Sequence, residues 1–180
     1  MTTFNSETFN FTLRIGQTVL TGIYYGACQY ISSVECPARY VNLYAFHIKV
    51  QLDVLYSRIN LPSGVDMVEN FQQVFPRAKA FQGGIALLAG IDGVLQYILD
   101  KNHPGSKFFL ASGLILLSIW PYTIAVIMPI NNQLMEGDKP KSNGDNWIKD
   151  MMSSWDKVHW VRTIGGGLAF GLALKGLLSK

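Results

Sequence analysis

Charge is scarce in this sequence. Only 15% of its 180 residues are Asp, Glu, Lys or Arg, against roughly 25% in an ordinary soluble domain. A chain this apolar (49% hydrophobic, mean hydropathy +0.19) is not a disordered, solvated tail. An excess of one sign is lacking too. The formal net charge of +3 is too mild for a surface that gathers basic residues against a nucleic acid, so no nucleic-acid partner is expected. Cysteine is nearly missing: Cys28 and Cys36 form no CxxC, and two cannot build a disulfide framework. No Lys or Arg precedes Arg14, and Glu7 sits in the first turn's worth of chain, unlike the basic start of a cleavable signal. The first apolar stretch is therefore expected to remain in the protein. HExxH, P-loop and Rossmann patterns are absent, and His47, His103 and His159 fall in three separate segments. Neither a metal site nor a cofactor is expected.

Long apolar runs are what the chain has. Four stretches, at 13–34, 78–99, 108–129 and 160–178, are each about the 17–25 residues that a helix needs to cross a bilayer. The run at 108–129 (FFLASGLILLSIWPYTIAVIMP) carries no charge, so it has no polar face to offer water. The fold expected is all-α: an integral membrane four-helix bundle forming a single multi-pass domain over 1–180. Small residues spaced by four (Gly22 and Gly26, Ala86 and Gly90, Ala89 and Gly93, Gly167 and Gly171) predict close helix packing, since lipid gives no hydrophobic drive between helices. The aromatic-rich segment 40–59 reads as an interfacial helix in the first loop, ended by Leu61-Pro62-Ser63-Gly64. The stretch 135–146 reads as a polar, mobile turn, and 147–159 as a helix running into the fourth span.

With four spans, the N-terminus, second loop and C-terminus share one face and hold five basic residues (Arg14, Lys101, Lys107, Lys175, Lys180). The first and third loops hold ten: Arg39, Lys49, Arg58, Arg77, Lys79, Lys139, Lys141, Lys149, Lys157 and Arg162. The positive-inside rule then puts 35–77 and 130–159 on the cytoplasmic side, in an endomembrane by preference.

Polar groups at span ends need an explanation. Glu35 and Arg39 follow the first span, Asn131 and Asn132 follow the third, and His159 and Arg162 begin the fourth. Four-span topology brings all of them to the basic face. Trp155, His159, Arg162 and Gly166 are spaced by four, three and four, and so share one helical face. An imidazole one turn from a guanidinium can move a proton while a neighbouring charge holds an oxyanion. The same residues also make an ordinary interfacial belt of Trp, His and Arg. Asp92, in the second span, is read as a neutral group bonded to Gln17, Thr18 or Tyr24.

Three segments carry a family resemblance. GIYYGACQYISSVECPARY at 22–40, WPYTIAVIMPINNQL at 120–134 and WDKVHWVRTIGGGLAF at 155–170 arrive in the order of the V-E-x-P-A-R, Y-T…P-x-N-x-x-L and W-x-x-x-H-x-x-R-T segments of the anthrone oxygenase-like membrane family. The chain resembles that family, with Cys36 where His often follows the Glu. The resemblance implies a four-helix membrane protein; some members are assigned to oxidation of anthrones by molecular oxygen without flavin or haem, a cofactor-independent monooxygenase activity. It implies a site with His159 as base, Glu35 orienting it, and Arg162 and Asn131 holding an oxyanion. Trp120, Tyr122, Asn132, Trp155 and Arg39 are the substrate-binding candidates. The partners expected are the lipid bilayer and a small aromatic substrate, with a homo-oligomer or a larger membrane complex left open. The competing reading is a non-catalytic membrane subunit or assembly factor.

Overall fold

A computed structural model describes residues 6–35 and 63–179, with every side chain in them except those of residues 34 and 35. The expected interfacial segment at 40–59 and Arg39 lie outside the described residues. All regular structure within them is helical. Helix α1 (Ser6–Tyr30) ends in a π-helical turn, Ile31–Glu35, and α2 spans Gly64–Leu99. After a six-residue connection, α3 (Ser106–Tyr122) continues through a second π-helical turn, Thr123–Ile127, into α4 (Met128–Leu134). A short α5 (Lys139–Ser142) precedes α6 (Asp145–Leu178).

Local chemistry explains the boundaries. Ser63 caps α2: its hydroxyl accepts the Asp66 N–H at 3.1 Å, and the Asp66 carboxylate accepts the Ser63 N–H at 2.9 Å. Pro121 and Pro129 each lack the N–H that an α-helix needs. The chain between them relaxes into the Thr123–Ile127 π turn, a local widening that absorbs lost i→i−4 bonds. The 36 residues of α2 and 34 of α6 rise about 54 and 51 Å at 1.5 Å each, well beyond a hydrocarbon layer of about 30 Å. Both helices thus project beyond the membrane at their N-terminal ends. There Met67, Val68 and Phe71 of α2 pack with Ile148, Met152 and Trp155 of α6, and with Ile127 and Leu134 of the α3–α4 arm. The Gly64 N–H donates to the Asp145 carboxylate, tying the two helix starts together.

The bundle is up-down-up-down. The end of α1, the start of α2, the end of α4 and the start of α6 share one face, as the four-span topology requires. Its surface is inverted relative to a soluble bundle. Gln17, Gln82, Gln96, Asn131, His159 and Arg162 are buried, while Leu88, Ile124, Ile164 and Leu168 are about 60% exposed. Only a lipid solvent makes that arrangement favourable. The chain is an integral, multi-pass membrane protein. Three helical stretches, Gly64–Leu99, Ser106–Leu134 and Asp145–Leu178, are long and apolar enough to cross a bilayer. Helix α1, with Arg14 and Gln17 near the start of its apolar stretch, falls short by that measure although it packs as the fourth member of the bundle.

Two expectations change. The stretch 135–146 is more ordered than a polar turn, because Pro140 is buried in the one-turn α5 and Lys141 pairs with Glu69 of α2 at 2.8 Å. The glycine spacing holds on α2, where Gly90 and Gly93 lie against Gly113 of α3. A Cβ on Gly113 would come within 2.7 Å of the Gly90 carbonyl oxygen. It holds only by halves elsewhere: Gly22 packs on Phe170 and Gly167 on Tyr25, but Gly26 and Gly171 face open space.

Candidate functional site

The face of α6 that carries Trp155, His159, Arg162 and Gly166 is buried along its length. Trp155 stacks on His159, with ring centroids 4.8 Å apart and planes 19° from parallel. Its other contacts fix it from two sides. Phe71 of α2 meets it edge-on at 5.5 Å, and its indole N–H donates to Asn131 Oδ1 of α4 at 2.7 Å. Asn131 and His159, from different helices, are thereby held to one ring.

The far side of His159 meets α1. Its Nδ1 lies 3.1 Å from Ser32 Oγ, which lies 2.7 Å from Thr163 Oγ1, which donates to the Cys28 carbonyl at 3.3 Å. A carbonyl only accepts, so the protons in this chain run one way. Thr163 donates to Cys28, Ser32 donates to Thr163, and His159 Nδ1–H donates to Ser32. In the neutral imidazole that tautomer puts the basic lone pair on Nε2. Ser32 reaches this position from the π-helical turn that ends α1.

Arg162 sits one turn on, 8% exposed. Its Nε donates to the Tyr24 hydroxyl at 3.2 Å and its Nη2 to Gln82 Oε1 at 2.9 Å. Both acceptors are neutral, so these bonds orient the guanidinium and leave its charge in place. The side chain lines two cavities. The larger, about 760 Å³, lies between α2 and the α3–α4 arm, with Asn131, Asn132, Lys79 and Trp120 in its wall. The smaller, about 60 Å³, is lined by His159 and Trp155. Phe75, Lys79 and Arg162 line both, so the imidazole stands beside the larger space across one layer of side chains.

Most of the expected residues gather here. Asn131, Trp155, His159 and Arg162 form a continuous buried array, and Trp120 and Asn132 join it through the larger cavity. Tyr122 does not: its hydroxyl donates to the Val158 carbonyl at 2.9 Å and it lines neither cavity. Glu35 ends the π turn of α1 at this same face, with its side chain outside the described set. Asp92 is bonded to Gln96 of its own helix at 3.4 Å, and Gln96 carries the contact on to Gln17 of α1 at 3.3 Å. Among the described residues, no group of three His, Cys, Asp or Glu side chains comes together as a metal cage. Sequence reasoning missed Ser32, Thr163 and Gln82, and had Tyr24 only as a partner for Asp92, where the structure sets it on Arg162. Gln82 was the legible one, since an amide in a span needs a partner.

A family model described as anthrone oxygenase matches residues 71–172, more than half of the chain. The chain belongs to the anthrone oxygenase family. The match takes in the 120–134 and 155–170 segments, and with them Asn131, Trp155, His159 and Arg162, while 22–40 lies before it. No curated protein and no solved structure matches the chain.

Proposed function

We propose that this member of the anthrone oxygenase family oxidises an anthrone-type phenolic substrate with molecular oxygen, and that all four long helices, α1 included, form its single membrane domain. The observation that carries the reading is Arg162: a buried guanidinium oriented by neutral acceptors, lining a cavity large enough for a small ligand and lying one turn from an imidazole. Anthrone carries an acidic CH₂ group beside two aromatic rings. His159 Nε2 takes one proton from it through a bridging water across the layer of Phe75, Lys79 and Arg162, and Arg162, with the Asn131 amide, holds the enolate oxygen. The enolate gives an electron to O₂, and recombination forms a carbon-bound peroxide that takes the first proton back from the His159 imidazolium to become the hydroperoxide. Loss of the second C–H proton breaks the O–O bond, leaving a ketone and water. One oxygen atom ends in each product, and the two pairs of electrons come from the CH₂ carbon. Trp120 and Asn132 line the substrate cavity and Trp155 backs His159; Glu35 as the orienter of His159 and Arg39 as a substrate-binding group are roles assigned from the sequence alone. The 35–77 and 130–159 segments face the cytoplasm.

A non-catalytic subunit would close these groups on one another without a cavity, and the 760 Å³ space beside them favours the enzyme. The test is oxygen uptake by protein in lipid nanodiscs across a panel of anthrones. Wild type consumes oxygen and forms the anthraquinone, His159→Ala abolishes turnover in protein that still inserts and stays helical, and Arg162→Lys lowers kcat by about 10²–10³-fold, as for removal of an oxyanion donor. Turnover by His159→Ala at the wild-type rate removes the base assignment. An inert wild type across the panel makes the subunit reading the better one.

A further inference from the structure

The larger cavity has walls of two kinds. At the basic face it is bounded by Lys79, Asn131 and Asn132, with Arg162 buried in its floor. Toward the middle of the bundle its lining includes Leu87 of α2 and Ile124 of the π turn, which are 38% and 61% exposed. In a helix that spans the bilayer, such exposure is exposure to acyl chains. Lys79 and Leu87 are eight residues apart, about 12 Å along α2. The cavity thus runs from the polar face into the hydrocarbon layer and is open to it sideways.

Specific residues shape the seam. Gly83 and Gly84 leave the α2 wall without side chains, and a Cβ on Gly84 would meet nothing within 4 Å. Trp120 bridges the same seam, its indole N–H donating to the Gly83 carbonyl at 3.3 Å. Two glycines on one wall and a flat ring on the other make a slot, a shape that suits a planar ligand. The only fixed positive charge buried in its wall is that of Arg162, among the described residues.

We propose that this slot is loaded from within the bilayer: a lipid-dissolved planar phenol slides between α2 and the α3–α4 arm past Gly84 and Ile124, and docks its ionised oxygen on Arg162. This rests on the oxygenase reading for the identity of the ring, while the route depends only on the cavity. Partition into lipid concentrates such a ligand beside the opening, and Arg162 supplies the one strong interaction that lipid cannot. Leu87 and Ile124 form the mouth, and Gly84 sets the width behind it.

The test uses full-length protein in phosphatidylcholine nanodiscs and a dihydroxyanthraquinone, a product-type ring that is already oxidised. Binding is read by quenching of tryptophan fluorescence, with rates from stopped flow after mixing with probe-loaded vesicles. Gly84→Phe fills the slot and should weaken binding at least tenfold. Gly171→Phe, also directed into open space but away from the cavity, should leave it within twofold of wild type. Ile124→Trp and Leu87→Trp at the mouth should slow association and dissociation together, at nearly unchanged Kd. Rates unaffected by both mouth substitutions, or wild-type affinity in Gly84→Phe, overturn the proposal. So does a co-purified phospholipid that the probe does not displace, since the slot is then an acyl-chain site. Mouth-dependent binding without turnover of any anthrone leaves the route standing and removes the oxygenase reading. Turnover with rates indifferent to the mouth does the reverse.

Discussion

The indole of Trp155 lies flat against the imidazole of His159, 4.8 Å between centroids, while its N–H is bonded to Asn131 at 2.7 Å. One aromatic ring thereby positions two polar groups from different helices. The contact places α6 against α4 at the membrane face where the chain's polar residues converge, and the buried position of all three residues makes it rigid.

Trp155→Phe separates the two roles of that ring. Phenylalanine keeps an aromatic face for His159 but has no donor for Asn131 Oδ1, leaving a buried acceptor unpaired. The expected cost is about 1–3 kcal/mol. Thermal unfolding in detergent micelles reads it. A variant as stable as wild type means that Asn131 finds another donor, and the indole bond then has no structural role.

How far the sequence foretold this arrangement depends on what each residue's neighbours needed to be. The four-helix bundle and the shared face of Trp155, His159 and Arg162 follow from apolar run lengths and helical periodicity, which are properties of one segment at a time. Convergence of Asn131 and His159 needed only the alternation of spans. Partners were harder. Ser32 and Thr163 are small hydroxyl residues of a kind that bond their own backbone in many helices, so nothing along the chain marks them as partners of an imidazole. Gly105 and Gly176, whose backbones meet at the opposite end, lie 71 positions apart and outside every small-residue repeat. The π turn at Thr123–Ile127 is hinted at by Pro121 and Pro129, but its registration onto the cavity wall is a three-dimensional fact.

The α2–α3 seam sets Gly90 and Gly93 directly against Gly113, and it makes a sharp prediction. Gly113→Ala puts a methyl carbon 2.7 Å from the Gly90 carbonyl oxygen and 3.1 Å from Gly93 Cα, so the helices must separate. The expected loss is about 1–3 kcal/mol, the usual cost of overpacking. Gly26→Ala, into open space, should be neutral or stabilise by up to about 1 kcal/mol through helix propensity. Equal melting temperatures for the two variants would show that the seam yields.

At the other membrane face, His103 accepts the Gly105 N–H on Nδ1 at 3.0 Å, which requires an unprotonated nitrogen. Partial burial lowers its pKa from 6.5, nearby Arg14 lowers it further, and Asp100 opposes both. The folded state therefore prefers the neutral ring more than the unfolded chain does. Its contribution is complete above the unfolded value near 6.5 and is lost as pH falls through the folded one. Melting temperature should drop between pH 7 and pH 5. His103→Asn, which offers an oxygen acceptor that does not titrate, should flatten part of that slope. An unchanged slope assigns the acid loss to other groups.

The relay from His159 through Ser32 and Thr163 to the Cys28 carbonyl makes the most discriminating prediction, because it concerns a proton and not an energy. The carbonyl at its end accepts only, so a neutral His159 carries its proton on Nδ1 and its lone pair on Nε2, the atom that the proposed function uses as base. Nitrogen chemical shifts of histidine-labelled protein report which ring nitrogen bears hydrogen, without any need for turnover. At neutral pH the His159 signal, identified by its loss in His159→Gln, should show a protonated Nδ1 and a bare Nε2. Ser32→Ala removes the acceptor and should mix the two tautomers, and with them lower kcat more than it raises KM, since Ser32 lines neither cavity. Thr163→Ser keeps the hydroxyl and should cause neither defect. A bare Nδ1 in the wild type means that the hydroxyls run the other way, and Nε2 is then the wrong nitrogen to have been given the substrate's proton.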